Sequence, residues 1–222
     1  MARKTGRPEF AVIGLGRFGS SVALSLIDRG YTVLGIDRDP DIVQRLADRI
    51  TQIVAMDATN EDSLSAVDIR SFDTVVVSIG THFENNLLTT VALKSLGVHR
   101  VVCKALNERQ QHILLRVGAD QVVLPEHEAG SRLAARLAEP LVLDHLDLGP
   151  GFSVAEIRVP HAFVGQSLAK SDLRRSYGIN VLAVRRDGNL LVTPPVDMIF
   201  GVDDKILVIG SDENISAFCI QA

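Results

Sequence analysis

A glycine-rich run near the start of the chain has residue types and a spacing suited to binding phosphate. It reads Gly14-Leu-Gly16-Arg-Phe-Gly19 and directly follows a short apolar segment. Gly14 permits a tight turn, Gly16 lets backbone N–H groups approach a phosphate, and Gly19 lets a helix pack closely on a sheet. The helix N-terminus then offers free N–H groups and a positive dipole to an anion. The run predicts a nucleotide-binding loop, and the alternative is a loop that keeps this shape without a ligand.

Two charged residues suggest which part of a nucleotide lies where. Asp37 ends the expected second strand, about 20 residues beyond the loop, where a carboxylate accepts hydrogen bonds from ribose hydroxyls and repels a 2′-phosphate. Arg17 lies inside the loop, where its guanidinium can bind the oxygens of a pyrophosphate or of a terminal β- or γ-phosphate. An ordinary solvated arginine is the alternative for Arg17.

Further polar groups follow other expected strands. Asp57-Ala-Thr59 comes after the third strand, where it can contact adenine or cap the helix expected over Glu61 to Val67. Lys104 ends the fifth strand and Glu126 follows the sixth, at the sheet edge where ligands of open α/β folds bind. A carboxylate beside phosphates requires a bridging cation, so Glu126 is a candidate metal ligand. Surface solvation is the alternative for Lys104 and Glu126.

The elements that must position these residues alternate between strand and helix patterns. Continuous apolar runs, typical of strands buried on both faces, are Phe10–Gly14, Thr32–Ile36, Gln52–Ala55, Thr74–Ile79, Arg100–Lys104 and Gln121–Leu124. Helical patterns between and after them span Ser20–Arg29, Asp41–Arg49, Glu84–Leu96, Asn107–Val117 and Glu126–Glu139. This alternation predicts a Rossmann-like, doubly wound parallel sheet.

The rhythm changes after Leu148-Gly-Pro-Gly151, which we interpret as a linker. Strands are expected at Ser153–Val159, Ile179–Arg185, Leu190–Thr193 and Lys205–Ile209, with a hairpin turn at Arg186–Asn189 and one helix over Leu168–Tyr177. The predicted organisation is a nucleotide-binding domain at 1–126, a crossover helix and linker at 127–150, and a small α+β domain at 151–222.

Composition excludes several functional classes. The chain has 222 residues, of which 46% are hydrophobic, and a net charge of −4, so a folded core is expected and a basic nucleic-acid footprint is missing. The two cysteines, Cys103 and Cys219, lie in apolar runs and cannot form a four-cysteine zinc site. No secretory signal or membrane-spanning run is visible, so we expect a cytoplasmic protein.

Taken together, the motifs resemble the RCK (regulator of K⁺ conductance) subunits of Ktr/Trk-type bacterial potassium uptake systems. The resemblance rests on the glycine loop, Asp37, Asp57-Ala-Thr59, Ser78-Ile-Gly80, Lys104, Gly118-Ala-Asp120, Pro125-Glu126 and, in the second part, Leu173-Arg-Arg-Ser-Tyr-Gly-Ile-Asn180. It covers nearly the whole chain and fits the single-Rossmann Ktr subunit better than the duplicated Trk form.

The resemblance implies a site for ATP and ADP in the first domain. Arg17 would sense the terminal phosphate, across a dimer interface in some members, Asp37 would hold the ribose, and Glu126 would help place Mg²⁺ or Ca²⁺. The full set of expected contacts is Gly14, Gly16, Arg17, Phe18, Gly19, Asp37, Arg38, Asp57, Ala58, Thr59, Ile79, Gly80, Lys104 and Glu126.

The resemblance also implies ligands and partners for the rest of the chain. In several members the C-terminal domain binds cyclic di-AMP between two copies, and the matching positions are Leu168, Arg174, Asn180, Val181 and Pro194. Dimers would assemble into an octameric ring at the inner face of the membrane and gate a membrane-embedded K⁺-translocating subunit, without nucleic acid.

Two rival functions share the glycine loop. An NAD-dependent oxidoreductase would use the loop and Asp37 in the same way, but about 70 residues remain for a substrate domain, and they show no catalytic constellation. A standalone NAD(H)-sensing oligomer, such as a transcriptional regulator, would need a DNA-binding module and a basic face that the sequence does not suggest. We therefore expect the chain not to be an enzyme. Whether its nucleotide is ATP/ADP or NAD(H) stays open.

Overall fold

The computed structural model describes residues 7–80, 82–138 and 141–220, and the chain divides between His127 and Glu128 into two units. The first unit contains a parallel sheet whose strands lie in the order β3-β2-β1-β4-β5-β6. Its strands are β1 Glu9–Ile13, β2 Thr32–Asp37, β3 Gln52–Ala55, β4 Thr74–Val77, β5 Val101–Lys104 and β6 Gln121–Val123. The strand order reverses between β1 and β4, which is where ligands bind in doubly wound sheets. The predicted Rossmann-like fold is confirmed.

Helices connect these strands in turn, and α6 follows the last of them: α1 Arg17–Asp28, α2 Pro40–Leu46, α3 Glu61–Ala66, α4 Phe83–Ser95, α5 Glu108–Arg116 and α6 Pro125–Ala138. Helices α2, α3 and α5 begin at Asp39, Asn60 and Asn107, whose side chains accept hydrogen bonds from backbone N–H groups of the first turn. This satisfies donors that a helix cannot pair internally. The expected ends of α6 at Glu139 and Pro140 lie outside the described residues.

Helix α1 begins earlier than expected. The sequence predicts its start at Ser20, whereas the helix starts at Arg17, with Gly16 as its N-cap residue. The glycine spacing explains the shift, because Gly19 packs inside the helix and does not end the loop. Arg17 and Phe18 therefore belong to the first helical turn.

Apolar residues are buried on both faces of the parallel sheet. Ile13, Ile36 and Val77 pack on one side, while Val12 and Val33 pack on the other. Each of these five side chains is at most 1% exposed. Burial on both faces accounts for the continuous apolar runs, and each buried valine or isoleucine contributes roughly 1.5–3 kcal/mol relative to exposure.

The second unit is built on an antiparallel sheet with the order β10-β9-β11-β8-β7. Its core includes the rings of Phe163, Tyr177 and Phe218, with centroids 5.2–5.9 Å apart. Strands and helices together give the α+β character that the sequence predicts. The elements are β7 Val142–Gly149, β8 Phe152–Arg158, α7 Leu168–Ser171, α8 Leu173–Tyr177, β9 Asn180–Arg186, β10 Asn189–Val192, β11 Lys205–Ser211 and α9 Asp212–Ile220.

Two expectations for this part of the chain are wrong. Leu148–Gly151 is not a linker but the turn of a hairpin between β7 and β8, with positive φ at Gly149 and Gly151. The helix expected over Leu168–Tyr177 is divided at Asp172, which has φ of 42° and separates α7 from α8. A left-handed residue cannot continue an α-helix.

Candidate nucleotide-binding site

The glycine loop lies between β1 and α1 and is fixed by contacts that only glycine permits. Gly14 has φ of +86°, a backbone conformation that favours glycine. A Cβ on Gly19 would collide with the Gly14 carbonyl oxygen and the Ser78 hydroxyl. The Ser78 hydroxyl donates a short hydrogen bond to the Gly14 carbonyl, so the residue that follows β4 holds the loop in place.

Gly16 differs from the other two loop glycines because it faces open space. Its φ is −64°, and a Cβ built on it would meet no atom within 4 Å. Helix α1, which starts next to it, has no side-chain cap and no acidic residue in its first turn. The first turn thus leaves backbone donors for an external anion, beside a space that a phosphate can fill.

Asp37 connects the loop with the end of β2. One carboxylate oxygen accepts the Leu15 N–H at 2.6 Å, and the other accepts the Asp39 N–H at 3.0 Å. The carboxylate is therefore oriented before any ligand arrives. Each oxygen can accept more than one hydrogen bond, so ribose hydroxyls can still bind it.

Asp57 and Thr59 form a turn after β3. The Thr59 N–H and hydroxyl both donate to one Asp57 carboxylate oxygen, at 2.9 and 2.8 Å. These bonds, first the backbone one, hold the pKa of the Asp57 carboxyl below its ordinary value. The cap of α3 is Asn60. Asp57 and Thr59 therefore do not cap α3, and the capping alternative is wrong. The role that remains for this segment is to form part of the cleft.

A cleft of about 270 Å³ opens at the carboxyl ends of β1 to β4. Nine of the predicted contacts line it: Gly14, Gly16, Asp37, Arg38, Asp57, Ala58, Thr59, Ile79 and Gly80. Eight further lining residues were not among the predicted contacts: Ile13, Ile36, Asp39, Ile42, Met56, Ser78, His82 and Asn85. Ile13, Met56 and Ser78 end a strand or follow one directly. For these three, position along the chain, and not residue type, was the signal that could have found them.

The other predicted contacts lie outside the lining of the cleft. Gly19 packs inside the loop, and Arg17 and Phe18 lie in the first turn of α1. Lys104 and Glu126 form an ion pair, with Nζ 2.5 Å from Oε1. The Lys104 ammonium also lies 5.6 Å from the centre of the Phe18 ring.

Opposite charges stabilise the Lys104–Glu126 ion pair. The hydrogen bond from Lys104 holds the pKa of the Glu126 carboxyl below its ordinary value, and the Arg17 guanidinium acts in the same direction. The Asn86 side chain, 2% exposed, donates to the carbonyls of Ile79 and Lys104 at 3.0 and 2.9 Å. It therefore ties the ends of β4 and β5 together, next to the cleft.

Cys103 precedes Lys104 on β5 and faces the core. Its thiol is buried and lies 3.2 Å from the Thr90 hydroxyl oxygen. Burial raises the pKa of the Cys103 thiol to about 11, so the reactive thiolate is scarce at neutral pH. Cys103 is thus part of the core of the first unit, and Cys219 in the second unit is half-buried.

The arrangement fits a nucleotide better than a resident metal. A glycine cradle, an uncapped helix start and an oriented carboxylate match the phosphates and ribose of a nucleotide. Within residues 7–80, 82–138 and 141–220, no three His, Cys, Asp or Glu side chains come together as metal ligands. Glu126, the expected cation ligand, is held by the Lys104 ammonium.

The five positions expected to contact cyclic di-AMP are spread over several elements of the second unit. Arg174 on α8 and Asn180 at the start of β9 are exposed, while Pro194 is buried. Leu168 and Val181 are half-buried. Near them, β9 and β10 expose apolar side chains: Leu182, Leu190, Leu191 and Val192, which are 38–65% exposed.

Comparison with known proteins covers both units. Residues 10–125 match the TrkA-N domain and residues 154–219 match the TrkA-C domain. The chain is 38% identical over 212 residues to Ktr system potassium uptake protein C of Bacillus subtilis, covering 96% of each chain. It is 32% identical to Ktr system potassium uptake protein A of the same organism, covering 95% of each chain. These relatives are potassium uptake proteins and not enzymes, which confirms that expectation and sets the oxidoreductase aside.

Solved structures share the fold. The GsuK channel matches 97% of this chain with a TM-score of 0.71 and 18% identity, and a GsuK channel bound to NAD matches 98% with a TM-score of 0.65 and 17% identity. The matched region makes up 39% and 40% of those chains, so this chain spans less than half of their length. In the part of the chain that the structure describes, no helix is long and apolar enough to cross a membrane.

Proposed function

The chain belongs to the family of Ktr-type potassium uptake regulators built from a TrkA-N and a TrkA-C domain, and from that premise we propose its ligands and its mode of action. We propose that it binds ATP and ADP in the cleft of the first unit. The bound nucleotide would select between shapes of an oligomer that controls K⁺ movement through a membrane-embedded partner.

The position of the cleft along the sheet is the observation that favours ATP and ADP over a dinucleotide as the ligands. Its lining comes from the ends of β1 to β4 and from the starts of α2 and α4. A dinucleotide in a doubly wound fold also uses the far half of the sheet edge. Here the end of β5 carries the Lys104–Glu126 ion pair, beside Phe18. That polar, charged position suits further phosphate groups better than a second nucleoside.

The proposed contacts follow from the charges around the cleft. Asp37 would hold the ribose hydroxyls, the N-terminus of α1 would bind the first phosphates, and Arg17 would reach a terminal phosphate. A Mg²⁺ or Ca²⁺ ion held by Glu126 and phosphate oxygens would require Lys104 to release that carboxylate first.

Regulation requires that ATP and ADP prefer different states of the protein. A ligand shifts an equilibrium only by its difference in affinity for the two states. The terminal phosphate is the chemical difference between the two nucleotides, so the residues that contact it must supply this preference. Arg17 is the first candidate because it is exposed in the first turn of α1.

We extend the proposal to the second unit and to assembly. Cyclic di-AMP would bind at Leu168, Arg174, Asn180, Val181 and Pro194. A second copy of the chain would cover the exposed apolar residues of β9 and β10. Dimers would form an octameric ring located in the cytoplasm, against the inner face of the membrane through the partner.

Binding measurements test the proposed function. Isothermal titration calorimetry with ATP, ADP, NADH and cyclic di-AMP should give tighter binding of ATP and ADP than of NADH. Because a GsuK channel is known with NAD bound, NADH is the informative competitor. Tight NADH binding that excludes ATP would overturn the choice of ATP and ADP as ligands. The variant Arg17→Ala should reduce the difference between the affinities for ATP and ADP without changing thermal stability.

A further inference from the structure

The Asn86 side chain lies where β4 and β5 separate. The backbone pairing of the two strands ends at Val77 and Cys103. Asn86, in the first turn of α4, is 2% exposed, and its amide nitrogen donates to the Ile79 carbonyl at 3.0 Å and to the Lys104 carbonyl at 2.9 Å. The side chain thus continues the contact between the two strands beyond their last backbone pair.

These two hydrogen bonds fix the orientation of the amide and leave its oxygen unsatisfied. Both hydrogens of the amide nitrogen are used, and the reversed amide would place its oxygen against two carbonyl oxygens. Within the described residues, Asn86 Oδ1 has no hydrogen-bond partner. A buried acceptor without a partner lowers stability, so the two carbonyls that Asn86 holds are what this position gains from an asparagine.

The bond to Ile79 also orients the next N–H group along the chain. The described part of the chain contains no cis peptide bond, and in a trans peptide the N–H points away from the carbonyl. With the Ile79 carbonyl turned towards Asn86, the N–H of Gly80 points to the opposite side. Ile79 and Gly80 line the cleft, whereas Asn86 does not. The Gly80 N–H is therefore turned away from the buried amide, on the side of the cleft.

The Gly80 N–H is available to a ligand beside the glycine loop. It donates no hydrogen bond to any residue in the ranges 7–80, 82–138 and 141–220. A Cβ built on Gly14 would lie 3.2 Å from the Ile79 nitrogen, so this segment packs on the loop proposed to hold phosphates. A backbone N–H in that place can donate a charge-assisted hydrogen bond to a phosphate oxygen.

We propose that Asn86 is a positioning residue that aims the Gly80 N–H at a phosphate oxygen of the bound nucleotide. The inference rests on the proposed function, since it concerns the same cleft. Asn86 contacts no ligand itself and acts through the peptide between Ile79 and Gly80. Its removal therefore weakens the binding of phosphate groups more than the binding of a nucleoside.

Equilibrium dialysis with ADP and with adenosine, in EDTA-containing buffer, tests the positioning role. Asn86→Ala releases the peptide between Ile79 and Gly80. It should weaken ADP binding about fivefold and change adenosine binding less than twofold, because the charge-assisted hydrogen bond requires a phosphate. Asn86→Ser keeps one donor and should have an intermediate effect. An asparagine with a merely structural role would weaken the binding of both ligands by the same factor.

A matched control lies one turn further along the same helix. Thr89 is 0% exposed, and within the described residues its hydroxyl, like Asn86 Oδ1, has no hydrogen-bond partner. Thr89→Val removes this hydroxyl with almost no change in shape. The affinities for ADP and adenosine should both stay as in the wild type.

Hydrogen exchange at the Gly80 N–H gives a second readout. ADP should slow this exchange in the wild type and in Thr89→Val, and should slow it less in Asn86→Ala. Thermal unfolding checks that each variant is folded. If Asn86→Ala does not fold, Asn86→Ser carries both measurements.

The outcomes separate this inference from the proposed function. Failure of the wild-type protein to bind ADP would overturn both. Wild-type ADP binding, combined with equal losses of ADP and adenosine affinity in the Asn86 variants or with undiminished protection of the Gly80 N–H, would overturn the positioning role alone. A loss of affinity confined to ADP, together with reduced protection of Gly80, would support it.

Discussion

The two units of the chain present candidate sites of opposite kinds. In the first unit, residues at the ends of neighbouring strands line one cleft, and the glycine loop and the Asp37 carboxylate are oriented by hydrogen bonds within the unit. In the second unit, the expected ligand positions are spread over α7, α8, β9 and the segment after β10, next to exposed apolar side chains.

The difference follows from the sheets. A parallel sheet places all strand ends of one polarity at one edge, so a single chain can gather a site there. An antiparallel sheet with one covered face leaves its terminal strand and open face for other molecules. We therefore expect the first site to respond to changes within a protomer and the second to respond to contacts between copies.

The largest expected effect comes from closing the glycine loop. Gly19→Val places a side chain against the Gly14 carbonyl and the Ser78 hydroxyl, so the first unit should lose about 3 kcal/mol of stability and all nucleotide binding. Urea unfolding and calorimetry measure the two effects. Gly130→Ala on α6, where a Cβ meets no atom within 4 Å, is the control and should not reduce stability. A stable Gly19→Val protein that binds ATP would contradict the described loop.

A matching change in the second unit should leave the first site intact. Asp204 is 2% exposed and accepts hydrogen bonds from the Arg186 guanidinium and the Gly201 N–H. Asp204→Ala should cost about 2 kcal/mol, because Arg186 loses its partner but can be solvated. ATP affinity should not change, and the exposed neighbour substitution Asp203→Asn is the control.

The Asp204 carboxyl also predicts that the stability of the folded protein falls as the pH is lowered. The hydrogen bond from Arg186 holds the pKa of Asp204 below its ordinary value in the folded protein. Its contribution to stability is therefore present above the ordinary carboxyl pKa and is lost as the pH falls through the lowered one. Unfolding measured from pH 7 downwards should show a steeper loss in the wild type than in Asp204→Ala. Equal slopes would mean that another group controls acid unfolding.

Gly16→Ala separates binding from stability inside the first site. Its Cβ would enter open space next to the start of α1, so the free energy of unfolding should change by less than about 1 kcal/mol. ATP affinity should fall roughly tenfold or more, because the methyl group fills the place proposed for a phosphate. Unchanged affinity would argue that the phosphates do not lie at Gly16.

The smallest expected effect concerns an exposed charge of the second unit. Arg174→Ala should weaken cyclic di-AMP binding about threefold to fivefold, as expected for one solvent-exposed ionic contact, and should leave ATP binding unchanged. Arg175→Ala, on the same short helix and also exposed, is the control. Equal effects of both substitutions would point to general electrostatic attraction and away from a specific contact.

The first unit was largely predictable because local rules and the fold agree there. The glycine spacing, the apolar runs and Asp37 each have one physical reason, and these reasons indicate the same sheet edge. The apolar lining residues, such as Ile42 and Met56, could not be found by residue type, because an apolar side chain near a base looks like any core residue.

The second unit was less predictable for reasons that are equally physical. Strand β7 carries Asp144 and Asp147 and lies at the end of the sheet, where charged residues are common, so its pattern was hidden. Gly-Pro-Gly is compatible with both a linker and a hairpin turn. Asp172 adopts positive φ, which few residue types other than glycine do, so the break between α7 and α8 had no clear signal.

Because Cys103 is buried, the rate at which its thiol is labelled can measure how often the parallel sheet opens. The Cys103 thiol has a pKa of about 11 and is buried beside Thr90 on β5, between β4 and β6, so we expect it to react with a maleimide or disulfide reagent when β5 separates from its neighbours. The labelling rate of Cys103 therefore reports how often the sheet opens at β5, next to the proposed nucleotide site. Cys219, half-buried in the other unit, reports on a different part of the chain, so wild-type protein can show which half loosens first.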